Sequence, residues 1–265
     1  MRTTLVTGAS GNLGSAVVNH LVGRGHRVRA HMRSPTAAPS HAVEPFYGDL
    51  RSGEGLAEAA RGVDAIIHCA SFFDADGSTD RLAIRHLIDA ADRAPHLVYI
   101  SIVGVDRTSF PYFRTKLEVE TAVAASGLPH TIIRATQFHD FVRRMIASFE
   151  NPHAETIALP AGLSFQSIDV GEVAEALVAA SEGAPVGRKP DIAGPQILAL
   201  DEMARHYARI LGIERIITSS CEDPQRDFHD VFRDGRNLAV ERTIGCVTWE
   251  DFLMAKLAEA IRPQG

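Results

Sequence analysis

Ser101, Tyr112 and Lys116 carry groups able to deliver a proton to an oxygen, and their placement in the sequence could bring them to the same one. Tyr112 and Lys116 are four positions apart near the start of Pro111–Ser126, which reads as a helix stopped by Gly127 and Pro129. Residues at this spacing share one helix face. A phenol ordinarily titrates near ~10, and a neighbouring positive charge lowers that value. Lys116 is such a charge, so Tyr112 can donate a proton to a carbonyl oxygen as hydride reaches the carbonyl carbon, and withdraw one in reverse. Ser101 follows the apolar run Leu97–Ile100, a strand, and its hydroxyl can hydrogen-bond the same oxygen. The plainer alternative is a surface tyrosine and a helix lysine paired with Glu120.

Hydride chemistry needs a carrier, and the N-terminus offers a seat for one. The strand Thr4-Leu5-Val6 runs into Thr7-Gly8-Ala9-Ser10-Gly11-Asn12-Leu13-Gly14. After it, Leu13, Val17, Val18, Leu21 and Val22 recur at helical spacing. Gly8 permits the tight turn, Gly11 admits a pyrophosphate close to the backbone, and Gly14 lets helix and strand pack. The free N–H groups of the helix start then face the anion.

The tip of the second strand reads the adenosine ribose about 20 residues past the glycines. Arg33 lies nineteen positions beyond Gly14, and Ala30–Ser34 holds no acid. A carboxylate would repel a 2′-phosphate, whereas an arginine pairs with it, so the expected carrier is NADP(H) rather than NAD(H). No Asp or Glu precedes Glu44, while Arg2, Arg24, Arg27, Arg29 and Arg33 do. Asp49, followed by Leu50 after the third strand, is placed either to accept from an adenine amino group or simply to make a turn. Cys69-Ala70-Ser71 ends the fourth strand with small residues over which a ribose–phosphate can lie. Cys69 reads as a packing residue, since no partner base is evident.

These residues need a parallel sheet to gather them. His26–Met32, Val43–Tyr47, Val63–His68, Leu97–Ile100 and Thr131–Arg134 read as further strands. Helices alternate with them: one ended by Gly23 and Gly25, one at Leu56–Ala60, one over Ser78–Ala91, and Pro111–Ser126. Ser34–Ser40 is a loop. Strands alternating with helices predict an α/β, doubly wound parallel sheet covered on both faces.

The second half is less regular. Gln137–Phe149 and Val170–Ser181 read as helices, the latter capped by Asp169. Thr156–Leu159, Leu163–Ile168, Asp191–Ala193, Ile197–Leu200 and Ile213–Thr218 read as short strands. Asp201 caps a helix to Leu211, Cys221–Asn237 is open between helix and loop, and Thr248 with Asp251 resembles a capping box before the last helix. The expected organisation is a single body over 1–265. Its dinucleotide core spans about 1–135 plus 168–194, and its substrate-side lobe about 137–166 and 195–265. Phe72, Phe73, Gln137, Phe138, His139, Phe141, Phe165 and Gln166 suggest an apolar, aromatic pocket for a small molecule. His139 is a conceivable substitute acid, although a lone histidine more often only hydrogen-bonds. Trp249 reads as a lid or packing anchor.

The chain has 265 residues, 45% of them hydrophobic, and a net charge of −6. That balance argues against a nucleic-acid partner. No apolar run approaches the ~20 residues of a membrane span, and no secretory signal is expected. Three dispersed cysteines (Cys69, Cys221, Cys246) argue for a reducing cytoplasm, and no Cys/His spacing suggests a metal. Composition leaves monomer or homodimer open.

The glycine pattern Thr7-Gly8-x-x-Gly11-x-x-Gly14, the Ser101 strand, Tyr112-x-x-x-Lys116 and Ile133-Arg134-Ala135-Thr136 resemble the atypical short-chain dehydrogenase/reductases. Gly127-Leu128-Pro129 leading into Thr131–Arg134, Asp169-Val170 before Glu172-Val173-Ala174, and Ile192-Ala193-Gly194-Pro195 are similar to the NmrA-like NAD(P)H-binding oxidoreductases. The likeness covers most of the chain and is weakest over Ser219–Val247. It implies a Rossmann-type fold and an NADPH-dependent reductase of a small carbonyl or conjugated compound. Tyr112, Lys116 and Ser101 would be catalytic. Ser101 and Tyr112 lie eleven positions apart, a shorter gap than the active dehydrogenases of the wider superfamily have. The same resemblance admits an NADP(H)-sensing regulator without turnover. An epimerase or isomerase holding NAD is a third reading, disfavoured by the acid-free second strand.

Overall fold

The computed structural model describes residues 1–34, 42–74, 76–239 and 245–261. The expected loop after Ser34 therefore lies, from residue 35, outside the described residues. In chain order the first elements are β1 (Thr3–Thr7), α1 (Asn12–Gly23), β2 (Arg27–Met32), β3 (Val43–Tyr47), α2 (Leu56–Ala60) and β4 (Ala65–His68). Next come α3 (Ser78–Ala90), β5 (His96–Ile102), α4 (Pro111–Ala125), β6 (His130–Ala135) and α5 (His139–Ser148). Then follow β7 (Glu150–Asn151), β8 (Thr156–Pro160), β9 (Ser164–Phe165), α6 (Val170–Glu182) and β10 (Gly187–Arg188). The chain closes with β11 (Leu198–Ala199), α7 (Leu200–Leu211), β12 (Ile216–Ser220), α8 (Arg226–Arg233) and α9 (Trp249–Ile261).

Two compact units result. One comprises Met1–Arg134 with Val170–Pro190, the other Ala135–Asp169 with Asp191–Gly265. The first is the expected α/β body: a seven-stranded parallel sheet in the order β10-β6-β5-β4-β1-β2-β3, with helices on both faces. Its central strands β1, β4 and β5 are mostly apolar because both faces are covered there. Leu5, Ile66, Leu97, Tyr99 and Ile132 meet Leu56, Ile84, Leu87, Val119 and Val123 from α2, α3 and α4. Alternate strand residues such as Val6, Ile67 and Val98 point the other way, where α1 and α6 pack. The chain runs outward from β1 through β2 to β3, then crosses back to β4 on the other side of β1. That reversal opens a crevice at the carboxyl ends of β1 and β4. Strand β10 was not foreseen: Gly187 and Arg188 pair with Thr131 and Ile132, too short a run to show a period.

The second unit holds a three-stranded sheet, β12-β8-β7, and a two-stranded one, β11-β9. The Thr248–Asp251 box forms as expected: the Asp251 amide donates to Thr248 Oγ1 (3.1 Å), and the Thr248 amide to Asp251 Oδ2 (3.2 Å). Asp201 does not cap α7. The cap position is Ala199, and Asp201 instead pairs with Arg205 one turn on. The open segment after Cys221 forms α8. Among the described residues, no helix is long and apolar enough to cross a membrane.

Candidate active site

At the mouth of the crevice, Gly8 has φ +69°, and a Cβ there would lie 2.8 Å from the Ala70 backbone. A Cβ on Gly14 would sit 2.1 Å from the Gly8 carbonyl oxygen. The turn and α1 therefore close upon one another only with glycine at both places. The first intrahelical bond of α1 runs from the Ser15 amide to the Gly11 carbonyl (2.9 Å), so the amides of Leu13 and Gly14 have no acceptor within the helix. No side chain caps this end, and its first turn carries no acid. Ser10 and Gly11 lie exposed in the turn. An uncapped, acid-free helix start over a cradle that a Cβ would fill suits a pyrophosphate.

Thr7 and His68 face each other across the ends of β1 and β4 and share a hydrogen bond of 2.6 Å between Thr7 Oγ1 and His68 Nδ1. Burial, with the Lys116 and His31 charges adding to it, pushes the His68 imidazole down to about 3. His68 is therefore a neutral partner for Thr7. Beyond it, Cys69 is half-buried, and desolvation pushes its thiol up to about 12, so it is no nucleophile.

Arg33 follows the last residue of β2 and is exposed. Asp49 makes the turn after β3: its Oδ1 accepts the Arg51 amide at 2.9 Å, and its carbonyl accepts from Ser52 and Gly53. The Leu50 side chain is buried in the core, while its carbonyl meets His86 Nδ1 at 3.0 Å.

The three proton-handling residues stand at the same carboxyl edge. Pro111 at the first position of α4 fixes the helix start, which puts Tyr112 and Lys116 at its beginning. The Lys116 ammonium lies over the Tyr112 ring, 5.3 Å from its centroid. The Tyr112 hydroxyl is 2.8 Å from Ser71 Oγ, and Phe73 packs on the ring with centroids 5.0 Å apart. Ser101, in β5, is buried, and its Oγ has no hydrogen-bond partner among the described residues. An orphaned buried hydroxyl costs about 1–3 kcal/mol, which an incoming acceptor would recover.

Lys116 is not the partner of Glu120. Glu120 binds Arg134 through two bonds of 2.7 Å, and Arg134 also reaches Asp106. The Lys116 ammonium instead meets Asp80 Oδ2 at 2.7 Å, both side chains almost wholly buried. Asp80 Oδ1 accepts the Phe72 amide at 3.2 Å. Burial pushes the Asp80 carboxyl above its ordinary range, against the pull of Lys116 and the Phe72 amide. Neither Asp80 nor His68 was singled out from the sequence. The signal for Asp80 was there: it shares the α3 face of Ala83, Ile84 and Leu87, and an acid on an apolar stripe needs a buried cation.

The residues expected to line a substrate pocket divide. Phe72 lies half-buried between Ser71 and the core. Gln137 and Phe138 are half-buried in the second unit, Gln137 Oε1 accepting from Asn237 at 3.2 Å. His139 and Phe165 depart from the expectation. Both His139 ring nitrogens are engaged, by Ser167 Oγ (2.8 Å) and the Val247 carbonyl (3.1 Å). Phe165 is fully buried against Phe232, centroids 4.7 Å apart. Trp249 is a packing anchor whose indole N–H donates to the Met203 carbonyl at 3.0 Å.

Sheet, reversal and glycine cradle define a dinucleotide-binding α/β protein. The NAD(P)H-binding family matches residues 8–182, and the chain belongs to it. Among curated relatives, a 3-beta-hydroxysteroid dehydrogenase of Mycolicibacterium neoaurum is 42% identical over 74 residues, 28% of this chain and 20% of that protein. The chain spans less than a third of the length of the first such relatives, the matches covering 22%, 20% and 29% of them. Among solved structures, the Citrobacter sp. triphenylmethane reductase complexed with NADP(H) aligns with a TM-score of 0.76 at 20% identity, over 96% of this chain and 99% of that one. A nucleoside-diphosphate-sugar epimerase from Staphylococcus aureus aligns at 0.78 with 17% identity, over 95% and 99%. At these identities the structural likeness is one of fold.

Proposed function

We propose that this protein is an NADPH-dependent reductase of the NmrA-like branch of the short-chain dehydrogenase/reductases, acting on a small carbonyl or conjugated compound. One observation carries the reading: the Tyr112 hydroxyl stands at the carboxyl end of β4, hydrogen-bonded to Ser71 and with the Lys116 ammonium over its ring. Ligands of open α/β sheets bind at that edge. The Gly8–Gly14 turn and the start of α1 hold the pyrophosphate, Ala70 and Ser71 flank the ribose, and Arg33 takes the 2′-phosphate. When bound, the reduced nicotinamide supplies the hydride.

Ser101 donates to the substrate oxygen, the contact its buried hydroxyl otherwise lacks. Tyr112 gives that oxygen its proton as the carbonyl carbon gains hydride, so C=O becomes CH–OH. Lys116 stabilises the phenolate left behind. Ser71 keeps the phenol oriented until substrate arrives. Phe72 and Phe73 supply apolar surface beside the reacting group.

A sensing role without turnover draws on one observation. The Lys116 charge is already balanced by Asp80, which weakens its field at the phenol. Oxidation of NADPH with a panel of aromatic aldehydes, ketones and quinones separates the two. A reductase turns over, and Tyr112→Phe lowers kcat by about 10²–10⁴-fold with Tm unchanged. Full turnover in that variant removes Tyr112 as donor. Tight NADPH binding with no turnover on any substrate supports the sensor.

A further inference from the structure

A closed ring of contacts surrounds the Tyr112 hydroxyl. Tyr112 meets Ser71, the next residue Phe72 donates its amide to Asp80 Oδ1, Asp80 Oδ2 meets Lys116, and Lys116 lies over the Tyr112 ring. Asp80 is the member that ties the loop after β4 to the start of α4. Its place on the buried stripe of α3 is costly, because a buried ion pair returns its desolvation penalty only with good geometry and further hydrogen bonds. For packing alone, an apolar pair of similar volume would serve as well or better.

Resting on the reading of Tyr112 as proton donor, we propose that Asp80 is a positioning residue that seats the Lys116 ammonium over the Tyr112 ring and offsets its charge, so setting the acidity of the phenol. With Asp80 ionised, Lys116 is held in place and its pull on the phenolate is moderated. Without the carboxylate the ammonium acts on the phenol unopposed.

The other ionisable groups around this ring are accounted for. On β4 and β5, His68 is neutral and the Tyr99 phenol is driven well up by its burial. On α4, Glu120 is neutralised by Arg134. Asp74, before α3, is bound by the Thr79 amide at 2.9 Å and by Ser78. Of these, Asp74 keeps a negative charge, its carboxyl held below the ordinary range by those hydrogen bonds, and it is the same in every variant compared.

The test is an ultraviolet titration of phenolate in the whole protein, with Tyr112→Phe as the reference that isolates the Tyr112 signal. Asp80→Asn keeps the acceptor for the Phe72 amide and removes the charge. It is expected to lower the Tyr112 pKa by about one unit or more. The alkaline limb of the reductase profile should move in the same direction. Should the unpaired lysine prevent folding, the same titration is run on Asp80→Glu, which keeps the charge but displaces the Lys116 ammonium from the Tyr112 ring, and the phenol pKa should shift by about half a unit or more. An unchanged Tyr112 titration in either comparison overturns the role of Asp80 and leaves the donor reading standing. Unimpaired turnover in Tyr112→Phe overturns the donor reading, while the titration still reports on Asp80.

Discussion

The carboxyl edge of the seven-stranded sheet and the interior of the second unit both gather histidines, hydroxyls and aromatic rings, yet they use their bonding capacity differently. In the second unit it is filled at the side chains that could have met a ligand, although Arg143 Nε, His206 Nδ1 and Asn237 Oδ1 have no hydrogen-bond partner among the described residues. His139 engages both ring nitrogens, the Trp249 N–H is donated to Met203, and Gln166 bonds Gly194 and Ala239 through its two ends. At the sheet edge capacity is left over. Ser101 Oγ has no partner among the described residues, the Leu13 and Gly14 amides of α1 lack intrahelical acceptors, and Tyr112 is only half-buried. Groups that bind or react must keep an open valence for the ligand, whereas groups that hold a fold do best when fully satisfied.

Phe165→Ala tests the contrast most severely. Removing a fully buried ring from its packing on Phe232 should cost about 3–5 kcal/mol of stability, read as a lowered midpoint in denaturant, with NADPH affinity unchanged. A variant that kept its midpoint but lost turnover would make Phe165 a substrate contact and reverse the comparison.

His68 sharpens it from the other side. Its pKa is depressed when folded, so the unfolded chain binds the proton more readily. Its contribution is fully present above about pH 6.5 and is lost as pH falls from there toward the folded value near 3. Between pH 6.5 and 5 the loss is about 2 kcal/mol. His68→Gln should flatten that part of the stability–pH curve. An identical acid dependence in the variant would show that other groups carry it.

The smallest effect is expected at Arg33. Arg33→Ala should weaken NADPH binding about tenfold, or about 1.4 kcal/mol, and leave NADH binding unchanged. Equal losses for both cofactors, or none, would remove the 2′-phosphate contact and with it the preference for NADP.

Much of the first unit could be read directly. The apolar run read over Val63–His68 forms β4 at Ala65–His68, and α4 begins at Pro111 as the sequence implies. Buried parallel strands are unbroken apolar runs, and proline at a first helical position is a local steric signal, so both survive without tertiary context. The two-residue strand β10 was out of reach, because pairing with a neighbour alone makes it a strand. The misplaced cap on α7 has a similar cause. Leu200 joins the helix because it is buried, which moves Asp201 into the first turn. At the site, Tyr112 and Lys116 were visible by spacing, whereas the partner of Lys116 was not. Glu120 is nearer in sequence, but Arg134 offers it two parallel bonds and leaves the ammonium to Asp80.

The sequence by itself determined the parallel sheet, the glycine cradle, the acid-free tip of the second strand, and a tyrosine and lysine on one helix face. Those features follow from local sterics and short-range periodicity. Only the tertiary structure decided which hydroxyl meets Tyr112, which acid balances Lys116, and that His139 and Phe165 serve the interior. Each of those outcomes is a competition among groups far apart in the chain, settled by burial and by which partner offers the better geometry.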